Sequence, residues 1–274
     1  MTVRALLPRD LAASARAVLP ILLVILAAAI RETRLAVIVA LVAGTIVAIR
    51  REAPVRWAWA APVPVALSLA FGLIVPPVAD PFGADCARLF SPPAMWRLAE
   101  AGLVLGAAAG LVWLLRAPLV GLWLHRPSLR VVEVGFLGFG AFGVLGLAVG
   151  PALARPFFGA FGLQTSDPAA LVPALIFALA NAIMEEVAYR GVLMGWSSRV
   201  IGLGPALVLQ AVVFGLAHGG PDVGGSSFVL MAVLGLGGLL AGVVTIRTRS
   251  LLLPIAIHAA LDLPLYVYLA CRTS

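Results

Sequence analysis

The chain has 274 residues, 62% of them hydrophobic and 11% charged, with a mean hydropathy of +1.10. Soluble domains run at about 45–50% apolar and about 25% charged, so a single buried core cannot absorb this surplus and a polytopic membrane protein is expected. The net charge of +7 comes from arginine alone, since the chain has no lysine; arginines at the ends of apolar runs fit membrane lipids and topology control, and no nucleic-acid partner is expected.

Apolar runs predict helices near 12–30, 35–49, 57–79, 98–115, 134–154, 169–195, 203–218, 228–246 and 251–270. Most approach the ~20 residues that cross ~30 Å of hydrocarbon. The expected fold class is all-α: a polytopic membrane helical bundle with eight or nine transmembrane segments. It forms one integral-membrane domain over 1–274, with helices 12–154 as scaffold and a catalytic core at about 169–270.

The first run follows Arg4, Arg9 and Arg16 and has the look of a secretory signal peptide. More spans follow at once, so it reads as an uncleaved first helix. Pro62, Pro64, Pro76 and Pro77 predict an irregular third helix. With the N-terminus inside, the inner loops hold more arginines than the outer ones, as the positive-inside rule requires. Arg31 and Arg34 fall on the wrong side and Arg97 falls in an outer loop. Trp57, Trp59, Trp96, Trp123 and Trp196 lie near predicted helix ends and read as interfacial anchors. Cys86 and Cys271 belong to no metal or disulfide pattern, and His125 sits in a basic, solvated loop. The Arg, Ala, Gly and Pro bias points to a GC-rich bacterial genome, hence an inner-membrane protein. The oligomeric state is not legible in the sequence.

Setting loop charges aside leaves Glu185, Glu186, Arg190, His218, His258 and Asp262 inside apolar segments. An ionised side chain at mid-bilayer costs roughly 2.5–3.5 kcal/mol on insertion scales, and such groups face a bundle interior or a watery cavity. In an α-helix Glu186 and Arg190 share a face one turn apart and can pair. Glu185 is turned ~100° away, over Tyr189, and is left free for chemistry. His258 and Asp262 are likewise one turn apart. His218 ends the run "FGLAHGG", and the Pro and Gly of Val75–Gly83 and Gly219–Gly225 mark turns. Met184, Met194 and Met231 read as packing.

The runs "EEVAYR" (Glu185–Arg190), "FGLAH" (Phe214–His218) and "HAALD" (His258–Asp262) stand in this order on three apolar segments. Together they resemble the CPBP family of intramembrane proteases, which includes the type II CAAX prenyl endopeptidases and bacterial Abi-type proteins. The resemblance covers about 170–270 and implies hydrolysis of a peptide bond in a membrane-associated or lipidated peptide or protein. It implies Glu185 as general base toward water, His218 as its helper, and His258 and Asp262 completing the site. Glu186 and Arg190 become a supporting ion pair, with Arg190 as an alternative ligand for a substrate carboxyl terminus.

The family pattern admits Asn or Asp at the position of Asp262. An Asn amide can donate to an oxyanion, whereas an ionised Asp cannot. Asp262 is therefore protonated, orients His258, or ligates a metal. His218 and His258 with a carboxylate could hold a divalent ion such as Zn²⁺. Two other functions remain open: a proton-coupled transporter, disfavoured because the ionisable groups all lie in the second half, and a non-catalytic immunity or scaffold protein.

Overall fold

The computed structural model describes residues 11–75, 87–88, 90–125, 127–158, 162–163, 168–219, 228–270 and 272–273. Cys86, Cys271, Pro76, Pro77, Arg4 and Arg9 lie outside them, as does most of each glycine-rich turn. Helices α1 (Leu11–Ala29), α2 (Arg34–Ala48), α3 (Ala53–Ala60), α4 (Val63–Ile74), α5 (Pro92–Leu115) and α6 (Leu129–Phe158) form the first half. The second half holds α7 (Leu171–Glu185), a π-helical stretch (Glu186–Met194), α8 (Gly195–Ile201), α9 (Leu203–Ala217), α10 (Phe228–Thr248) and α11 (Leu252–Ala270). The only strands among the described residues are two-residue pieces, Gly162–Leu163 antiparallel to Arg272–Thr273. The fold is an all-α membrane bundle.

Five described helices are long and apolar enough to cross a membrane: Ala53–Ile74, Pro92–Leu115, Leu129–Gly146, Leu171–Ile201 and Phe228–Thr248. Val18–Ala29, Leu203–Ala217 and Leu252–Val267 are shorter apolar helices packed among them. Several of these helices carry exposed apolar stripes. On α6 Leu129, Phe136, Leu137 and Val144 are largely exposed, and on α10 so are Phe228, Leu236 and Leu240. The α7–α8 rod is the opposite, buried along most of its length at the centre of the bundle.

Within the described residues the nine predicted runs are helical, and several boundaries move. The third breaks between α3 and α4, where Pro62 and Pro64 interrupt the amide ladder. The fourth begins earlier, at Ser91-Pro92-Pro93, because proline is pre-organised for a first helical turn. That places Arg97 within α5, not in an outer loop. The sixth continues past 195 to Ile201 and stops at Gly202, whose φ of 89° and ψ of 160° suit glycine alone.

Arg34 is explained by local bonding: its Nε donates to Ala27 O at 3.1 Å and its Nη1 to Leu69 O at 3.2 Å. It satisfies one carbonyl near the end of α1 and one within α4, so its position reflects local bonding between helices as well as topology. Trp57 and Trp196 are not interfacial anchors. Both are buried, with ring centroids 5.2 Å apart, where α3 meets α8. Met184 and Met194 are buried packing residues as expected, and His125 is exposed.

One apolar core joins the two halves, running from Val24 and Leu41 through Val65, Val104 and Leu111 to Met184, Leu193 and Phe214. A second, rich in alanine, sits between α5, α7 and α11 around Phe177, Leu263 and Tyr266. Small side chains let these three helices approach closely, which brings α11 against the polar end of α7.

Candidate functional site

α7 carries Phe177, Asn181 and Glu185 on successive turns, and α11 carries His258 and Asp262 one turn apart. The two helices pack closely, so their polar residues meet in layers. Asn181 Nδ2 donates to Asp262 Oδ2 at 2.8 Å. In the next layer the imidazole of His258 enters between the two glutamates. Its Nδ1 is 2.8 Å from Glu186 Oε1 and its Nε2 is 3.6 Å from Glu185 Oε2. The same Nε2 is 3.5 Å from Asp262 Oδ2.

Glu186 Oε1 also accepts from Arg190 Nη1 at 2.9 Å, in a pair whose two side chains are each 1% exposed. The expected ion pair is therefore present. A carboxylate can only accept from His258 Nδ1, so that nitrogen carries the proton and Nε2 faces Glu185 and Asp262. Glu185 Oε2 is buried with no hydrogen-bond partner among the described residues, in contrast to the doubly engaged Glu186 Oε1.

The expectation that the two glutamates look toward different neighbours needs correction. Their Cβ vectors do diverge, but α11 fills the gap and one imidazole touches both. The backbone here is also not α-helical: Glu186–Met194 is a π-helix. Such i→i+5 pairing is rare, commonly a single turn, and frequent at functional sites. It widens the rod where Arg190 must fit sideways. Arg190 Cζ lies 4.4 Å from the centroid of Phe214. Gly238 of α10 leaves room beside it: a Cβ there would meet Phe214 Cδ1 at 3.2 Å and Arg190 Nη2 at 3.3 Å.

Phe214 ties the third motif to the others. Its ring centroid is 4.7 Å from that of His218 and 6.1 Å from that of His258. His218 Nδ1 donates to Phe214 O at 2.7 Å, since a carbonyl can only accept. Its Nε2 is left with a lone pair. His218 thus joins the cluster through Phe214 and makes no direct hydrogen bond or ion pair with Glu185, His258 or Asp262. The extension of α8 explains how it reaches this level. Glu185 lies about as far before the Gly202 turn as His218 lies after it, so the hairpin brings both to a similar level, with Phe214 packed on Tyr189 between them.

Among the described residues, no three His, Cys, Asp or Glu side chains are arranged to hold a metal ion. His218 and His258, expected as ligands, both lie against Phe214 and do not form part of such a set.

Two groups escaped the sequence reading. Asn181 is 7% exposed and orients Asp262; an amide among alanines was the available signal. The other is on α5, where Glu100 is buried, accepts from Ser68 Oγ at 2.6 Å, and pairs with Arg97 Nη1 at 2.7 Å. Arg97 Cζ is 5.4 Å from the centroid of Phe177. Glu100 lies within electrostatic reach of Glu185, and Arg97 of Asp262. Ionisable groups inside helices are therefore not confined to the second half, as the argument against a transporter assumed. The Ser91-Pro92-Pro93 helix start was the sequence signal for both residues.

Residues 167–264 match the family model described as "Type II CAAX prenyl endopeptidase Rce1-like". That window holds every member of the α7–α11 cluster, from Asn181 to Asp262. Over these residues the chain is similar to this CAAX-protease family. No curated protein matches, and no solved structure matches. This similarity and the apolar helices support, in general terms, an integral-membrane protein of the CAAX-endopeptidase kind. Arg97, Glu100 and Ser68 lie outside the matched segment.

Proposed function

We propose that the chain hydrolyses a peptide bond near the end of a membrane-associated or lipidated peptide, with Glu185 as the general base. The observation that carries this reading is the contrast within the Glu185–Glu186 pair. Glu186 is engaged by Arg190 and His258, while the buried Glu185 Oε2 has no hydrogen-bond donor. A carboxylate in that condition is a strong acceptor for a water proton.

In the proposed reaction, a water between Glu185 and the substrate gives its proton to Glu185 as its oxygen attacks the scissile carbonyl carbon. The C–N bond then breaks, and the proton passes to the leaving amine nitrogen. His258 is held by Glu186 so that Nε2 faces the reacting water. Asp262, fixed by Asn181, keeps the imidazole in that plane; this favours orientation among the three roles open to Asp262. His218 Nε2, with its lone pair free, serves as a second acceptor toward water. Glu186 and Arg190 act by positioning.

No step is routed through a metal. A divalent ion on His218 and His258 requires a third donor from substrate or water, and chelation tests for it. The all-arginine, GC-rich composition supports a bacterial inner-membrane location.

The test compares wild type with Glu185→Ala, purified in detergent, on a library of membrane peptides and prenylated CAAX peptides, with and without chelator. Cleavage by wild type alone supports the base assignment, and equal cleavage by both proteins sinks it. Activity lost on chelation and restored by Zn²⁺ would assign a metal role.

A further inference from the structure

Three non-glycine residues among the described residues hold a positive φ: Arg116 at 49°, Trp123 at 58° and Arg249 at 54°. Left-handed backbone is unfavourable for a residue with a Cβ and persists where the surrounding structure imposes it, often at a ligand clamp. All three lie at the end of the bundle that the arginines mark as the inner one. Arg116 and Arg249 directly follow the last turns of α5 and α10, where glycine is the usual residue. Leu124 bridges to Ser250, so the loop after α5 adjoins the turn after α10.

The same loop lies on α8. Gly195 lets it come close, since a Cβ there would collide with Gly121 O and stand 3.6 Å from Trp123 Nε1. Gly121 in turn leaves room for Arg199, whose Nη2 occupies the space a Cβ would take. Arg199 Cζ lies over the Trp57 ring, 5.0 Å from its centroid. An indole holds a guanidinium by its face, which leaves the N–H edges for an acceptor.

Arg116, Arg199 and Arg249 are exposed, and none is in an ion pair among the described residues. The acidic residues in the chain segments at this end are Glu52 and Glu133. Leu119 and Leu124, on the same loop, are exposed apolar side chains. Glycine at 116 and 249 would relax the backbone but remove two cations from this face. Open guanidinium groups beside apolar side chains, at the membrane surface, complement a phosphate diester that carries acyl chains.

We infer that this inner face, with Arg199 at its centre and Arg116 and Arg249 beside it, binds the head group of an anionic phospholipid. The inference does not depend on the proteolytic reading, but it bears on the same rod. A Cβ on Gly191 would stand 3.6 Å from Leu122 O, so the loop backs the π-helical segment that begins at Glu186. A head group bound on the loop and on Arg199 braces that segment.

The test is thermal unfolding of the full chain in a neutral detergent. The protein is titrated with phosphatidylglycerol, with phosphatidylcholine of the same acyl chains, and with inorganic phosphate. Phosphatidylglycerol alone should raise the melting temperature, by roughly 5–10 °C when its concentration is about a hundredfold above Kd. Each cation removed should weaken that lipid's apparent affinity about fivefold, which Arg199→Gln measures at the centre of the face. Arg116→Gly and Arg249→Gly should melt higher than wild type without lipid, because glycine accepts the left-handed backbone. Both should nevertheless bind phosphatidylglycerol about fivefold more weakly. Arginines with a purely structural role would not give these opposite changes. An equal rise with phosphatidylcholine overturns the inference, and so does an equal rise with inorganic phosphate. Undiminished phosphatidylglycerol affinity in Arg199→Gln, or in both glycine variants, overturns it as well. If Arg199→Gln does not fold, the two glycine variants decide the outcome.

Discussion

At the scale of single residues, adjacent glutamates that are chemically identical differ by what surrounds them. Glu186 is held by two donors, so Glu186→Gln should act on stability. It leaves the buried guanidinium of Arg190 without a counter-charge, a class of change that costs about 3–5 kcal/mol and should lower the melting temperature in detergent. Glu185 Oε2 has no hydrogen bond to lose. Glu185→Gln should therefore melt like wild type while cleavage falls by about 10²-fold or more, the usual scale of general-base removal. Asp262→Asn preserves a partner for the Asn181 side chain and should retain cleavage, whereas Asp262→Leu should lose it. Measuring rate and melting point together for all four separates positioning from chemistry. The charges on α7, α9 and α11 were legible in the sequence because ionised groups are costly in lipid and stand out there. Asn181 was not, since a neutral amide carries no such signal, and Arg97 was hidden by a misread helix start.

At the scale of elements, the positions of all nine apolar runs could be read from hydropathy, but the π-helix could not. It is a choice of backbone register, and "EVAYRGVLM" has no residue that forbids an ordinary α-helix. What undid the separation of Glu185 from Glu186 was α11, whose His258 imidazole lies between the two carboxylates. Gly202 illustrates the opposite case, a single residue that sets the geometry of two elements. Its φ of 89° and ψ of 160° end α8 and start α9. Gly202→Ala should destabilise by about 1–3 kcal/mol, the usual cost of forcing a side chain into such a conformation, and is checked by thermal unfolding in detergent. Because that turn sets His218 level with Glu185, cleavage should fall with it.

At the scale of the whole molecule, hydropathy names the spans but not their neighbours. The sequence divides at the family match into 167–264 and the rest, yet the main core crosses that division. Val65, Val104 and Leu111 pack in the same cluster as Met184 and Leu193, and Glu100 of α5 faces the site. Expressed alone, residues 167–274 should therefore fail to give a monodisperse, cleavage-competent species, and size exclusion with an activity assay checks this. Long-range pairing of this kind depends on the shapes of small-residue faces, which a linear hydropathy profile does not resolve.

The length of α9 has a consequence for where hydrolysis can happen. With 15 residues it spans about 22 Å, against about 30 Å of hydrocarbon. Lipids beside it must compress, or head groups and solvent must follow the helix end inward, at a fraction of a kcal/mol per Å of mismatch. His218 stands at that end, so the dent in the leaflet is a route by which the reagent every hydrolase needs reaches an otherwise oily interior. Reconstituted in vesicles of shorter acyl chain, the protein should cleave faster than in long-chain ones. A rate indifferent to acyl length would mean that water arrives from elsewhere.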